Sequence, residues 1–195
     1  MVETIILSIT SFIGTNIDDI FIDTLFFTEA KTKADNRNIV IGKYVGIGTL
    51  ILLSVLGAFG LQFLPQQYIG YLGLIPIGLG VKEIIVALKS KKANNEEVDE
   101  KSQKSANKIM NVMLITMANG ADNIGVYISL FAGFKNWQIF LAIGIFMILI
   151  AVWCLLGKVL SNLHVVKNVI EKYKIIIVPI VYIVLGVYIL LKNLI

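Results

Sequence analysis

The sequence TNIDDI occupies residues 15–20, and NGADNI occupies residues 119–124. Shifted by 104 residues, the two stretches share one pattern: a polar residue, two spacers, an Asp, then Asp or Asn, then Ile. Each stretch lies about midway along an apolar run, where an ionised side chain is costly unless it faces a polar cavity or a partner. The repeated pattern predicts two related halves of the chain with a shared polar site.

The composition places the chain in a lipid bilayer. Of its 195 residues, 57% are hydrophobic and 15% are charged, with a mean hydropathy of +0.83. Soluble domains carry about a quarter charged residues. The net charge of +4 comes from short loops between apolar runs, which argues against a nucleic-acid partner. The single cysteine, Cys154, excludes a disulfide framework and a paired-thiol redox carrier.

Six apolar runs are long enough to cross a bilayer, which takes about 20 residues. They are residues 4–28, 39–61, 67–89, 109–133, 138–160 and 174–191. The polar segment 90–107 predicts a linker outside the bilayer. We therefore predict an all-α membrane protein with a first three-helix repeat (1–89), a cytoplasmic linker (90–107) and a second three-helix repeat (108–195). Because three is odd, the halves would insert in opposite directions, as in the inverted repeats of secondary transporters.

The basic residues predict the orientation. The loops between spans 1 and 2, 3 and 4, and 5 and 6, with their helix ends, hold 15 of the 17 basic residues. Lys43 is counted among these, and only Lys135 and Lys192 fall on the other side. The positive-inside rule makes the basic side cytoplasmic and both termini extracytoplasmic. The first run lacks a basic start and contains Asp18, which predicts a retained helix and not a cleaved signal.

The spacing of the polar residues predicts a cation site. On a continuous helix, positions i, i+3 and i+4 share one face, so each half presents a polar face at mid-bilayer. No Lys or Arg is expected at that depth, so the acids call for protons or a cation, and carboxylate, amide and hydroxyl oxygens suit a divalent metal. Asp23 lies one turn further along and is expected to line the cytoplasmic path. The predicted metal site comprises Asp18, Asp19 and Asp122 with Thr15, Asn16, Asn119 and Asn123.

Other features have simpler interpretations. A lone intramembrane Asp can be protonated and hydrogen-bonded between helices, but the matched pair Asp18 and Asp122 favours a functional site. Asp23, which approaches the interface, is equally explained by a structural role. Asn16 has a simpler interpretation as a local cap of polarity, whereas Asn119 and Asn123 share the face of Asp122. Cys154 is expected to fill space in the core. The pattern Gly42-x-x-x-Gly46 predicts close helix packing.

The motifs resemble a known family. NIDDI at 16–20, MANGADNIGVY at 117–127 and GLIPIGLG at 73–80 are similar to the cadmium-resistance (CadD-type) transporters of the LysE superfamily. The resemblance covers essentially the whole chain. It implies a LysE-like fold and efflux of cadmium, with zinc as a second substrate, from a bacterial plasma membrane, and it makes the paired acidic motifs the metal site. The residues themselves indicate only a cation, because oxygen ligands also suit manganese or calcium.

Rival functions remain open. Export of an amino acid or another small organic cation would use a bulkier cavity. An intramembrane aspartyl protease would need two aspartates, but the chain has no Gly-x-Gly-Asp motif, and we predict that it is not an enzyme. No Gly-x-x-x-x-Gly-Lys motif for ATP is present, so proton exchange is the expected drive. We expect no cofactor; the expected partners are the metal ion and the bilayer, with homo-oligomerisation open.

Overall fold

The described part of the chain is helical. The computed structural model of the protein describes residues 1–61, 68, 71–90, 108–161 and 179–192. No strand occurs in these ranges, which confirms the all-α prediction for them. The predicted linker lies outside the described residues except at its first residue, Ser90. The helices are α1 (Val2–Asn16), α2 (Asp19–Thr28), α3 (Lys33–Leu61), α4 (Leu74–Ser90), α5 (Lys108–Asn119), α6 (Asn123–Ala132), α7 (Asn136–Leu160) and α8 (Pro179–Lys192).

Two of the described helices, α3 and α7, are each long and apolar enough to cross a membrane. The pair α1 and α2 meets the same test together, with a bend of 61° between them, which makes up to three spans. These apolar helices are those of a membrane protein. The predicted spans 67–89 and 174–191 begin in residues that are not described, so the total of six spans stays a prediction.

Two predicted spans are broken in the middle. In residues 4–28, α1 ends at Asn16 and α2 begins at Asp19; in residues 109–133, α5 ends at Asn119 and α6 begins at Asn123. The expectation of two continuous helices was wrong. Asp and Asn favour helix N-termini over helix interiors because their side chains compete for backbone hydrogen bonds. The two breaks fall at the repeated motifs, which gives both halves the same local structure.

Glycines set the contact between α3 and α5. A Cβ atom on Gly42 would lie 2.7 Å from Cβ of Val112, and one on Gly46 would lie 2.9 Å from Cβ of Thr116. The backbones of these helices therefore approach as closely as the Gly-x-x-x-Gly pattern predicts, which confirms that prediction. The paired residue numbers rise together, so the two helices run parallel.

The contact between α4 and α8 is reciprocal. A Cβ atom on Gly80 would lie 2.9 Å from Cγ1 of Ile183, and one on Gly186 would lie 2.6 Å from Cγ1 of Ile77. A Cβ atom on Gly80 would also lie 3.0 Å from the carbonyl oxygen of Pro179, and one on Gly186 would meet the carbonyl oxygen of Gly73, just before α4. As the numbers rise along α4, those of their partners along α8 fall, so these helices run antiparallel. Each helix therefore contributes one glycine and one isoleucine, and the glycine of each helix packs against the isoleucine of the other.

Each broken pair packs on the long helix of the other half. The pair α5 and α6 lies against α3, while α1 and α2 lie against α7. Aromatic rings fill the second contact, where the Phe12 ring centroid is 5.3 Å from those of Phe146 and Trp153. The ring of Tyr127 on α6 joins them, tilted by 45° at 4.9 Å from Phe146. This cross-packing brings the two helix breaks to the same part of the molecule.

The α3–α5 contact generates the first prediction. Replacing Gly46 by Leu forces a side chain into Thr116, and overpacking of this kind costs about 1–3 kcal/mol. Gly48 is the matched control, because a Cβ atom there meets nothing within 4 Å. We expect Gly46→Leu to lower the midpoint temperature of thermal unfolding of the purified protein in detergent. The folded fraction that remains after heating is measured by size-exclusion chromatography. Equal midpoints for Gly46→Leu and Gly48→Leu would contradict the packing described.

Candidate functional site

A buried lysine bridges two aspartates. The ammonium Nζ of Lys43 on α3 lies 2.6 Å from Oδ2 of Asp19 and 2.9 Å from Oδ1 of Asp23, both on α2. None of the three residues is more than 1% exposed. The two carboxylates are four residues apart and so share one helical face, and an ammonium group has three hydrogens to donate. One cation can therefore hold both acids.

The expectation that no basic residue lies at the depth of the acids was wrong. Lys43 was assigned to the cytoplasmic end of the second span, yet it lies inside α3 and is fully buried. Counting charges by side of the membrane cannot distinguish an interfacial lysine from one that reaches a buried acid through its long stem. A signal was present in the sequence, because Lys43 is the single charged residue in the run from 39 to 61.

Asp19 also connects the two halves of the chain. Its Oδ1 accepts a hydrogen bond from Nδ2 of Asn119, the last residue of α5. The carboxylate thus receives the ammonium on one oxygen and an amide on the other. This contact joins the α1–α2 break directly to the α5–α6 break.

A second polar contact between the breaks is centred on a tyrosine. The hydroxyl of Tyr127 on α6 lies 2.8 Å from Oγ1 of Thr15 and accepts a hydrogen bond of 2.8 Å from Nδ2 of Asn16. Trp153 of α7 adds a 2.6 Å bond from its indole Nε1 to the carbonyl oxygen of Asn16. Sequence reasoning missed Tyr127, although it lies four residues after Asn123 and so shares its helical face.

The remaining acids stand at the helix starts. Asp18 is the N-cap residue of α2 and Asp122 that of α6, and both are partly buried. The helix dipole favours negative charge at this end of a helix. Asp18 and Asp122 therefore occupy equivalent positions in the two halves, as the repeated pattern predicts.

Several buried polar atoms around the breaks have no hydrogen-bond partner. Among them are Oδ1 of Asn16, Oγ1 of Thr116 and Nδ2 of Asn123. The carboxylate oxygens of Asp23 also accept no hydrogen bond, although Nζ of Lys43 lies 2.9 Å from Oδ1 as an ion pair. Buried amides and hydroxyls are normally satisfied by protein, water or an ion. These atoms add polar capacity beside the carboxylates.

The predicted site residues do not form a ready-made metal cage. Across residues 1–61, 71–90, 108–161 and 179–192, no three His, Cys, Asp or Glu side chains gather closely enough to hold a metal ion. Cys154 is buried in the apolar core, where it packs as a small hydrophobic residue. The site consists of carboxylate, amide and hydroxyl groups, and the ammonium of Lys43 is the cation that pairs with Asp19 and Asp23.

The tyrosine contact generates the second prediction. Tyr127→Phe removes the hydroxyl that Thr15 and Asn16 share, and with it the two hydrogen bonds between α1 and α6. Both side chains keep hydrogen bonds within α1, so the expected loss is that of the inter-helix bonds, about 0.5–1.5 kcal/mol each. We expect a lower thermal midpoint in detergent for this variant. Tyr71→Phe is the matched control because Tyr71 is exposed. An unchanged midpoint for Tyr127→Phe would show that the hydroxyl does not join the two breaks.

Comparison with known proteins gives one match. The family model described as cadmium resistance transporter matches residues 12–194, which is nearly the whole chain. No curated protein and no solved structure matches the sequence.

Proposed function

The chain belongs to the cadmium resistance transporter family, and on that premise we propose that it exports divalent cadmium across the bacterial plasma membrane through a site at its two helix breaks. The observation that carries this proposal is the bond between Asn119 and Asp19, which joins the breaks at a carboxylate. Helices interrupted inside the bilayer are a common source of ion sites in transporters, because the freed backbone carbonyls and half-helix ends face the ion.

The cation would be held by oxygen donors from both halves. The donor chemistry fits a divalent cation, since Asp, Asn and Thr supply carboxylate, carbonyl and hydroxyl oxygens. Asp23, one turn further along α2, would line the cytoplasmic approach. The proposed ligands are Asp18, Asp19 and Asp122, with Thr15, Asn16, Asn119 and Asn123.

We propose that the helices form six spans in two inverted three-helix repeats. Six alternating spans require that α3 and α5 run parallel and that α4 and α8 run antiparallel, and both directions are those of the described contacts. A two-fold relation between the halves also explains why α4 and α8 exchange roles at Gly80 and Gly186. It likewise explains why each broken pair packs on the long helix of the other half.

Transport would follow from movement of one half against the other around the site. Cytoplasmic cadmium would enter from the basic side past Asp23 and bind at the breaks. Rocking would then open the site outside, where protons replace the metal on the acids. The proton gradient is the proposed drive, and both termini are proposed to lie outside the cytoplasm.

The donor set bears on selectivity. Cadmium is a soft ion that favours thiolates, whereas the chain has one cysteine and the proposed ligands are oxygens. An exporter must release its cargo, and weaker oxygen ligands permit release. The same ligands would suit manganese or calcium, which makes transport of these ions the alternative candidate.

The matched acids generate the third prediction. Asp18→Asn and Asp122→Asn each remove a carboxylate from the proposed site, and we expect each to abolish cadmium tolerance in a cadmium-sensitive bacterial host. Asp35→Asn is the control, since Asp35 lies at the start of α3 and pairs with Lys108 at 3.3 Å, away from the breaks. Protein in the membrane fraction is measured by immunoblot. Normal tolerance in either site variant at equal protein level would refute the site.

The fourth prediction concerns substrate and drive. We expect purified protein in oriented proteoliposomes to transport cadmium, and zinc more weakly, with faster transport under an imposed pH gradient. Manganese and calcium are compared in the same vesicles, and protein-free vesicles give the leak. Transport of calcium without transport of cadmium would overturn the assignment of cadmium as the substrate. A transport rate that does not change with the pH gradient would rule out proton exchange as the driving force.

A further inference from the structure

Both oxygens of Asp19 are already engaged. Oδ2 is held by the ammonium of Lys43 at 2.6 Å, and Oδ1 by the amide of Asn119. A divalent cation bound to a carboxylate would lie about 2.3–2.6 Å from its oxygen. The ammonium group stands at nearly that distance from oxygens of Asp19 and Asp23. Lysine and cargo therefore compete for one place.

The competing charge is permanent in the protein and fully enclosed. Lys43 and Asp23 are 0% exposed, and Gly157 of α7 lies against Asp23, where an added Cβ atom would be 2.7 Å from the Asp23 Cβ. The positive charge nearest the buried carboxylate of Asp23 is the Lys43 ammonium, 2.9 Å from its Oδ1. Leaving one buried charge of such a set without its partner is strongly unfavourable. Lys43 therefore stabilises the two carboxylates whenever no other cation lies between them.

The ion cluster belongs to one half of the chain. At the 104-residue offset of the repeated motif, the residue equivalent to Asp19 is Asn123, and the residue equivalent to Asp23 is Tyr127. The long helix of the second half, α7, contains no charged residue before Lys158. The second half therefore lacks counterparts of Asp19, Asp23 and Lys43 together. The other acid of the motif is present once in each half, as Asp18 and as Asp122. The lysine accompanies the two acids that it neutralises and not the matched pair.

We propose that Lys43 is a tethered counter-ion of the transport cycle, a positioning residue whose ammonium leaves Asp19 and Asp23 when the divalent cation binds and returns to them when it departs. This inference rests on the proposed function. Without the lysine, Asp19 and Asp23 would each need a proton of their own after release, or would reorient as uncompensated carboxylates inside the bilayer, which is costly. The flexible four-carbon stem of lysine allows the ammonium to withdraw without movement of α3.

A tethered counter-ion is needed for net export but not for exchange of cadmium for cadmium, whereas loss of a merely structural lysine would impair both activities. Net export requires the emptied site to return without cargo, whereas exchange of cadmium for cadmium never leaves the site empty during reorientation. Lys43→Met keeps the length and apolar stem of the side chain but removes its charge. We expect it to reduce net export by at least about tenfold and to keep exchange within about threefold of the wild-type rate.

The experiment uses the full chain in proteoliposomes loaded with radioactive cadmium at equal pH on both sides. Net export is measured into cadmium-free buffer, and exchange into buffer with unlabelled cadmium. Lys108→Met is the matched control, because it removes a lysine that pairs with a carboxylate outside the buried cluster. Lys43→Arg, which keeps the charge, is expected to retain net export within about threefold.

The outcomes are distinct. Loss of net export with retained exchange supports the tethered counter-ion, and loss of both activities in folded Lys43→Met, or retention of both, overturns it. If Lys43→Met does not fold, judged by size-exclusion chromatography, Lys43→Gln replaces it, because glutamine keeps a hydrogen-bond donor without the charge. The same split is then expected, and the same results overturn the inference. Wild-type vesicles without any cadmium movement would instead refute the proposed function.

Discussion

Charge buried in a bilayer must be neutralised where it lies, and in this protein the constraint is met by Lys43 between Asp19 and Asp23. The three side chains come from two consecutive helices, so the ion cluster fixes α2 on α3. The Asn119 amide on Asp19 then attaches the other half of the chain to the same carboxylate. The contact between α2 and α3, the link between the two breaks at Asp19 and the chemistry of the site all depend on this one compensated set of charges.

The helix breaks serve two purposes at once. They place Asp18 and Asp122 at helix N-termini, where the dipole stabilises a negative side chain that would be costly in mid-helix. They also free backbone groups that a continuous helix would use internally. A membrane protein tolerates such freed groups only where protein or a polar cavity surrounds them. The burial of Thr15, Asn16 and Asn123 at the breaks fits that requirement.

The sequence pattern was sufficient to predict that Asp18 and Asp122 occupy equivalent positions, because the same polar motif recurs inside two apolar runs. It could not show that each motif interrupts its helix, since apolar residues continue on both sides and hydropathy does not register a bend of 61°. Lys43 was misplaced because charge counting assigns a lysine to a side of the membrane without asking what its stem can reach. Tyr127 escaped notice because its contact with Thr15 spans 112 residues and depends on how α1 packs against α6.

The reciprocal contact between α4 and α8 makes the residues allowed in one segment depend on those of a segment far away in the sequence. Gly80 accommodates Ile183 and Gly186 accommodates Ile77, so each half carries both a hollow and the side chain that fills the other's hollow. A larger residue at either glycine would meet backbone atoms as well as an isoleucine of the other segment, so a smaller side chain there could not make full room for it. The side chains that each segment can carry are therefore limited by a backbone about a hundred residues away in the sequence.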